Sequence, residues 1–288
     1  KDRLPKKYFS TIDKDLRQFG AKAATDIRHL GVKAENHPPQ LTQFDPWGRR
    51  IDEIEVSGAW RALHKISAEE GLIHIGYERK FEEWSRLYQL SKLYLFHPSS
   101  AFYSCPLAMA DGAARVLELN KTQLPDNPFA HLTSVDPEKF WTSGQWMTEK
   151  TGGSDVSETA TVAKKKSDHY ELFGTKWFSS ATTSDMALAL ARIEGAPEGS
   201  KGLSLFYVPM RDKNGGLNNI EVLRLKNKMG TNALPTAELE LKGAKAYLIS
   251  EPGQGVKSVA TMLNITRLYN SICSISHVAR GLQLVASY

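Results

Sequence analysis

The sequence predicts an α+β chain: an N-terminal helical domain, a middle antiparallel β-barrel-like domain, and the start of a C-terminal helical bundle. Three observations predict it. Apolar residues recur at helical spacing through the first half. From Gly144 a two-residue alternation takes over and persists for about a hundred residues. From Gln254 the helical spacing returns and runs to Tyr288. At 288 residues the chain exceeds the usual single-domain size. The predicted boundaries are 1–143, 144–252 and 253–288.

Residues 1–30 read as helix in pieces, over Lys14–Phe19 and Ala21–Leu30, with Leu16, Phe19, Ala23, Ile27 and Leu30 on one face. From Asn36 to Ile54, His37-Pro38-Pro39, Asp45-Pro46-Trp47-Gly48 and Arg49-Arg50 read as an ordered loop with turns. Ser57 is the N-cap candidate of a helix through Ala59, Leu63 and Ile66 that stops near Gly71. Tyr77–Phe96 carries a broad apolar face and ends before Pro98. Cys105–Leu119 is a further helix, whose small residues Ala108, Ala110, Ala113 and Ala114 invite close packing. Leu124–Pro128 breaks the pattern, and a short helical signal follows at Pro137–Trp141. Strands are predicted at Thr159–Val162, His169–Phe173, Met186–Ala191, Leu203–Val208, Ile220–Leu225 and Ala237–Leu241. Tyr288 falls inside the last helix with no stop signal before it, so a further C-terminal part of the parent protein is expected.

Composition narrows the class. The hydrophobic share of 41% and charged share of 24% are those of a soluble globular protein. Two cysteines, Cys105 and Cys273, stand far apart with no Cys-x-x-Cys. They argue against a disulfide framework or zinc ribbon, and for a reducing compartment, mitochondrial or cytoplasmic, rather than secretion. No apolar run approaches the ~20 residues of a membrane span, and no signal-peptide core is visible at the start. The net charge of +5 suits an anionic ligand and does not by itself indicate DNA binding. Gly-x-Gly-x-x-Gly, a P-loop, His-Glu-x-x-His, an EF-hand and Gly-x-Ser-x-Gly are all missing, and the eight histidines do not cluster in metal-ligand spacing.

The chemistry concentrates between Gln145 and Ser180. Gly152 and Gly153 permit backbone conformations and close approaches that a Cβ blocks. Thr148, Thr151 and Ser154 put hydroxyls beside the amides of that turn, a cradle suited to a diphosphate. Trp177 offers a flat face for a ligand ring.

Several ordered motifs extend this reading. Met-Thr-Glu-Lys-Thr-Gly-Gly-Ser-Asp-Val (147–156), Gly-Thr-Lys-Trp-Phe-Ser-Ser (174–180), Lys-Gly-Leu-Ser-Leu-Phe-Tyr-Val-Pro (201–209) and Leu-Lys-Asn-Lys-Met-Gly-Thr-Asn (225–232) resemble the middle-domain signatures of flavin-dependent acyl-CoA dehydrogenases. Glu-Pro-Gly-Gln-Gly-Val-Lys (251–257) and the helix with Thr266-Arg267 continue the resemblance. The Lys150-Thr-Gly-Gly variant and the segment from Glu35-Asn-His-Pro-Pro to Asp52-Glu53 resemble the AidB-type branch.

The resemblance implies FAD between the β domain and the C-terminal helices. Carried over residue by residue, Met147, Thr148, Gly153, Ser154, Trp177, Phe178 and Ser179 bind the cofactor. Thr148 meets the pyrimidine edge of the ring, Ser154 the diphosphate, Trp177 flanks the ring, and Ser179 approaches flavin N5. Ser154, Thr266 and Arg267 face the acyl-CoA. The reaction implied is α,β-desaturation of a medium- or long-chain acyl-CoA thioester, with proton abstraction by a carboxylate and hydride transfer to N5. Some family members carry that carboxylate where this chain has Thr266, so the catalytic base is unknown. Acyl-chain binding is expected between the Cys105–Leu119 helix and the Thr261–Leu284 helix, with depth left by Ala110, Gly112, Ala113 and Ala114. An electron-transfer flavoprotein is the implied acceptor, and a homodimer or homotetramer the implied assembly. Two other readings stand beside the enzyme: a slow acyl-CoA-sequestering flavoprotein, and a DNA-associated flavoprotein whose sequence support is the +5 charge.

Overall fold

The computed structural model describes residues 4–288. The first helical pieces form one rod: α1 (Lys6–Lys22) passes through a π-type turn at Ala23–Ile27 into α2 (Arg28–Glu35). Next comes a hairpin, β1 (Gln40–Phe44) and β2 (Arg50–Glu55), where an ordered loop was expected. Its strands are half-exposed, so the apolar alternation is faint. Asp45 closes its turn by accepting from the amides of Trp47 and Arg49, and Gly48 supplies a φ of 78°. Asp52 then pins the hairpin to the β domain by accepting from Val222 N at 3.0 Å.

Ser57 caps α3 (Gly58–Glu69) by accepting from Trp60 N at 3.1 Å, as its position predicts. The single helix expected over Tyr77–Phe96 is divided. α4 (His74–Glu78) ends where Arg79 takes a φ of 56°, and α5 (Ser85–Phe96) starts after a 3₁₀ turn. The break turns Phe81 edge-on to both Tyr8 and Tyr88, and this local aromatic cluster outweighs helical continuity. α6 (Ser104–Asn120) follows the prediction. The short helix lies at Pro128–Leu132 (α7), not at Pro137–Trp141, because Pro128 is set in the first turn, where its missing N–H costs nothing.

The β domain contains β3 (Ser143–Trp146), β4 (Val162–Lys165), β5 (Tyr170–Ser180), β6 (Met186–Ile193), β7 (Leu203–Pro209), β8 (Ile220–Leu225) and β9 (Thr236–Leu248). The ring β6–β4–β5–β9–β7 closes through a β6–β7 pairing, with β3 added to β6 and β8 to β9. Most pairs are antiparallel as expected, but β3–β6 and β4–β6 are parallel. β3, unforeseen, is too short to show a period of its own.

The run Met186–Ala191 is buried on both faces. Met186, Leu188 and Leu190 pack with the helices, whereas Ala187, Ala189 and Ala191 line the barrel interior with Trp146, Phe206 and Val208. α8 (Gly255–Ser287) crosses the helical domain and touches β7, where Gly255 meets the Ser204 backbone. α8 packs closely on α6, where the acyl chain was expected. A Cβ on Gly112 would stand 2.7 Å from Met262 Cγ, and Ala110, Ala113 and Ala114 are fully buried. The small residues of α6 serve helix packing. No helix among the described residues is long and apolar enough to cross a membrane.

Candidate functional site

β3 delivers the loop 147–154 to the edge of β5, and a buried ion pair fixes it there. Strand alternation places Lys176 on the core face with Leu172. A lysine there needs a carboxylate, and Glu149 provides it: Lys176 Nζ donates to Glu149 Oε1 at 2.6 Å and to Leu190 O at 2.7 Å. Thr161 Oγ1 and Ala160 N donate to the same carboxylate. Burial works to raise the Glu149 pKa, but the Lys176 charge and these bonds outweigh it and hold it below the ordinary value. Burial depresses the Lys176 ammonium, with Glu149 opposing. One residue on, Trp177 N donates to Thr148 O at 2.8 Å. The structure thus brings Thr148 and Trp177 side by side.

The loop leaves no room for substitution at its glycines. A Cβ on Gly152 would meet Asp155 O at 2.3 Å, and one on Gly153 the Thr148 methyl at 3.1 Å. Met147 is buried in the same apolar cluster as Val259 and Met262 of α8. Ser154 is exposed at the loop's outer end.

A β-bulge then reverses the strand. Between Lys176 and Ser179 the pairing with β9 slips by one residue, and Phe178 takes a φ of 57°. Phe178, inward by simple alternation, turns out and is 51% exposed. Ser179 turns in, and its Oγ is buried without a hydrogen-bond partner, as is Thr182 Oγ1. A buried hydroxyl left unpaired costs about 1–3 kcal/mol, and Ser179 Oγ finds no partner among the described residues.

Cations surround the tryptophan. Lys226 Nζ lies 3.2 Å from the Trp177 ring centroid, Lys150 Nζ 4.9 Å, and Arg224 5.9 Å. Glu238 accepts from Lys226 at 2.5 Å and from Arg224 at 2.6 Å. Sequence reasoning missed Glu149, Lys176, Lys226 and Glu238. The signal for Lys176 was its parity on a strand; for Lys226 there was none, since its contact depends on the pairing of β8 with β9. No hydrogen bond among the described residues joins Thr266 or Arg267 to this wall. Thr266 Oγ1 donates to Leu263 O, and Arg267 reaches Asn264 at 3.5 Å, both within α8. Among the described residues no group of three or more His, Cys, Asp or Glu could hold a metal ion.

Residues 144–244 match the acyl-CoA dehydrogenase middle domain, and residues 6–136 the N-terminal domain of the adaptive response protein AidB. The chain belongs to the acyl-CoA dehydrogenase family. It is 47% identical over 297 residues to acyl-CoA dehydrogenase family member 11 of Caenorhabditis elegans, which covers 99% of this chain and 48% of that protein. It is 29% identical over 280 residues to AidB of Escherichia coli (strain K12), covering 93% of this chain and 51% of AidB. Within the family it therefore stands on the AidB-like branch. The crystal structure of Caenorhabditis elegans ACDH-11 in complex with C11-CoA superposes with a TM-score of 0.93 at 46% identity, over 96% of this chain and 49% of that one. The chain spans about half the length of the curated relatives it matches.

Proposed function

We propose that this chain carries one wall of an FAD-dependent acyl-CoA dehydrogenase acting on medium- or long-chain acyl-CoA thioesters. The observation that carries the reading is the unpartnered, buried Ser179 hydroxyl beside the Thr148–Trp177 clip, in a chain of this family. The residues present fit FAD: Ser179 lacks a partner, the 152–153 turn admits no side chain, and cations collar the aromatic face. Thr148, Trp177 and Ser179 would hold the flavin ring, and Gly153 and Ser154 the diphosphate. Bound there, FAD would supply the two-electron acceptor for α,β-desaturation. The Glu149–Lys176 pair keeps the loop in place without reorganisation, which is what an orienting wall requires. Thr266 has no carboxylate, so the base that takes the α-proton is a different residue. Arg267 is exposed on α8, which supports its assignment to an anionic part of the CoA. That ACDH-11 was crystallised with C11-CoA supports a medium-length acyl chain. An electron-transfer flavoprotein as acceptor and a homo-oligomeric assembly belong to the same reading.

The test is an anaerobic titration of the full-length holoprotein with acyl-CoAs of graded length, following flavin absorbance. Bleaching at catalytic rates with a medium- or long-chain optimum is the expected result. Tight binding without bleaching would sink the enzyme reading and leave sequestration. Salt-dependent binding of DNA at matched concentrations would favour the DNA-associated reading instead.

A further inference from the structure

We propose that Lys226 is a positioning residue of the flavin wall, fixing the Trp177 ring and bringing positive charge to the bulge that presents Ser179. The proposal rests on the cofactor reading above.

Lys226 is no ordinary surface lysine. Its side chain is 10% exposed, and so near its aromatic neighbour that Nζ sits 3.2 Å from the Trp177 centroid. The ammonium is also 5.6 Å from the Phe178 ring centroid, so one cation contacts both aromatic residues that flank the bulge. Three restraints hold it. Its amide donates to Thr236 O at 2.8 Å, tying the end of β8 to the start of β9. Its Nζ donates to Glu238 on β9 at 2.5 Å. Glu238 is itself clamped by Arg224 and is 7% exposed at the side chain. Burial opposes the ionised Glu238 carboxyl, but Lys226 and Arg224 keep it below the ordinary carboxylate range.

The contact has two physical consequences. A desolvated ammonium on an indole face restricts the ring to one orientation. This matters at Trp177, since its amide already fixes Thr148 and the next residue, Phe178, holds a left-handed backbone. A cation held at the wall also favours negative charge on whatever ring lies against it. A reduced flavin is more negative than an oxidised one, so the charge of Lys226 raises the cofactor's tendency to accept electrons.

The experiment uses the full-length protein with K226M, K226R and E238Q. FAD affinity is read from flavin fluorescence, the midpoint potential from spectroelectrochemical titration, and apoprotein folding from far-UV circular dichroism. K226M is expected to weaken FAD binding about tenfold and to shift the midpoint potential downward. K226R should restore both to within about twofold, since a guanidinium also stacks on indole. E238Q removes the negative charge that seats Lys226, and should weaken FAD about threefold while moving the potential upward, opposite to K226M. A K226M protein that binds FAD as the wild type does, at the same potential, overturns the proposal. If K226M does not fold, an E238Q protein with unchanged FAD affinity overturns it instead. A wild-type protein that takes up no FAD overturns the cofactor reading itself, and this inference with it.

Discussion

Two of the buried ionic knots in this molecule end differently. The first lies among the helices. Asp111, fully buried on α6, accepts from Arg86, Gln89 and Tyr269, and from Tyr77 at 2.7 Å. It joins α4, α5, α6 and α8, and both of its oxygens are used. The second lies in the β domain, where Glu149 takes Lys176, Thr161 and Ala160. Its own atoms are also paired, but the strand it secures carries Ser179, and the turn just after it Thr182, with buried hydroxyls that have no partner among the described residues. The helical knot is closed on itself and serves architecture. The β-domain knot holds rigid a surface where buried hydroxyls stay unpaired, which is what the proposed cofactor site requires.

The comparison can be broken at its strongest points first. Lys176→Met leaves the Glu149 charge buried without its cation, and should cost ~3–5 kcal/mol, read from urea denaturation. Asp111→Ala strips the partner from Arg86, whose side chain is 28% exposed and reaches water, so ~2–4 kcal/mol is expected. If Asp111→Ala costs less than 1 kcal/mol by the same measurement, the helical knot does not hold the architecture.

Asp185 adds a different kind of carboxylate, exposed at residue level yet with its carboxyl oxygen accepting from Thr142 N at 2.9 Å. Burial pushes its pKa up to about 6, against the bond from Thr142 N. The folded state therefore holds a proton that the unfolded chain releases near pH 4. This contribution to stability is present below that pH and is lost as pH rises through 6, weakened by the solvent that reaches this exposed residue. Denaturation curves from pH 4 to 7 should show the fall, and Asp185→Asn should flatten it. Last and smallest, Ser179→Ala removes a hydroxyl that pairs with nothing in the apoprotein. It should leave stability unchanged or raise it by up to ~1 kcal/mol, while weakening FAD. A loss above 1 kcal/mol would show that Ser179 is structural.

Much of the fold was legible because its signals are local. Ser57 caps its helix because the cap bond spans three residues. The switch from helical to strand periodicity at Gly144 falls beside β3, and Ile220–Leu225 coincides with β8. The readings that failed did so where a distant contact overrode local pattern. Arg79 breaks a helix to seat Phe81 against Tyr8, and the hairpin at 40–55 exists because Asp52 docks on Val222. Gly112 looked like depth for a ligand and is instead the seat of Met262.

The candidate site divides along the same line. Sequence alone singled out the candidate cofactor residues. The glycine pair, the hydroxyls and the tryptophan lie within thirty-six residues, and turn chemistry and ordered motifs are properties of neighbouring residues. Only the tertiary structure decided which of them face inward. The bulge at Phe178 reverses the alternation, so that Ser179 is buried and Phe178 exposed, a choice made by the register with β9. It also decided what stands behind the tryptophan. Lys226 is forty-nine residues away in the chain and meets Trp177 through the pairing of β5 and β8 with β9, and no local pattern encodes a contact across three strands.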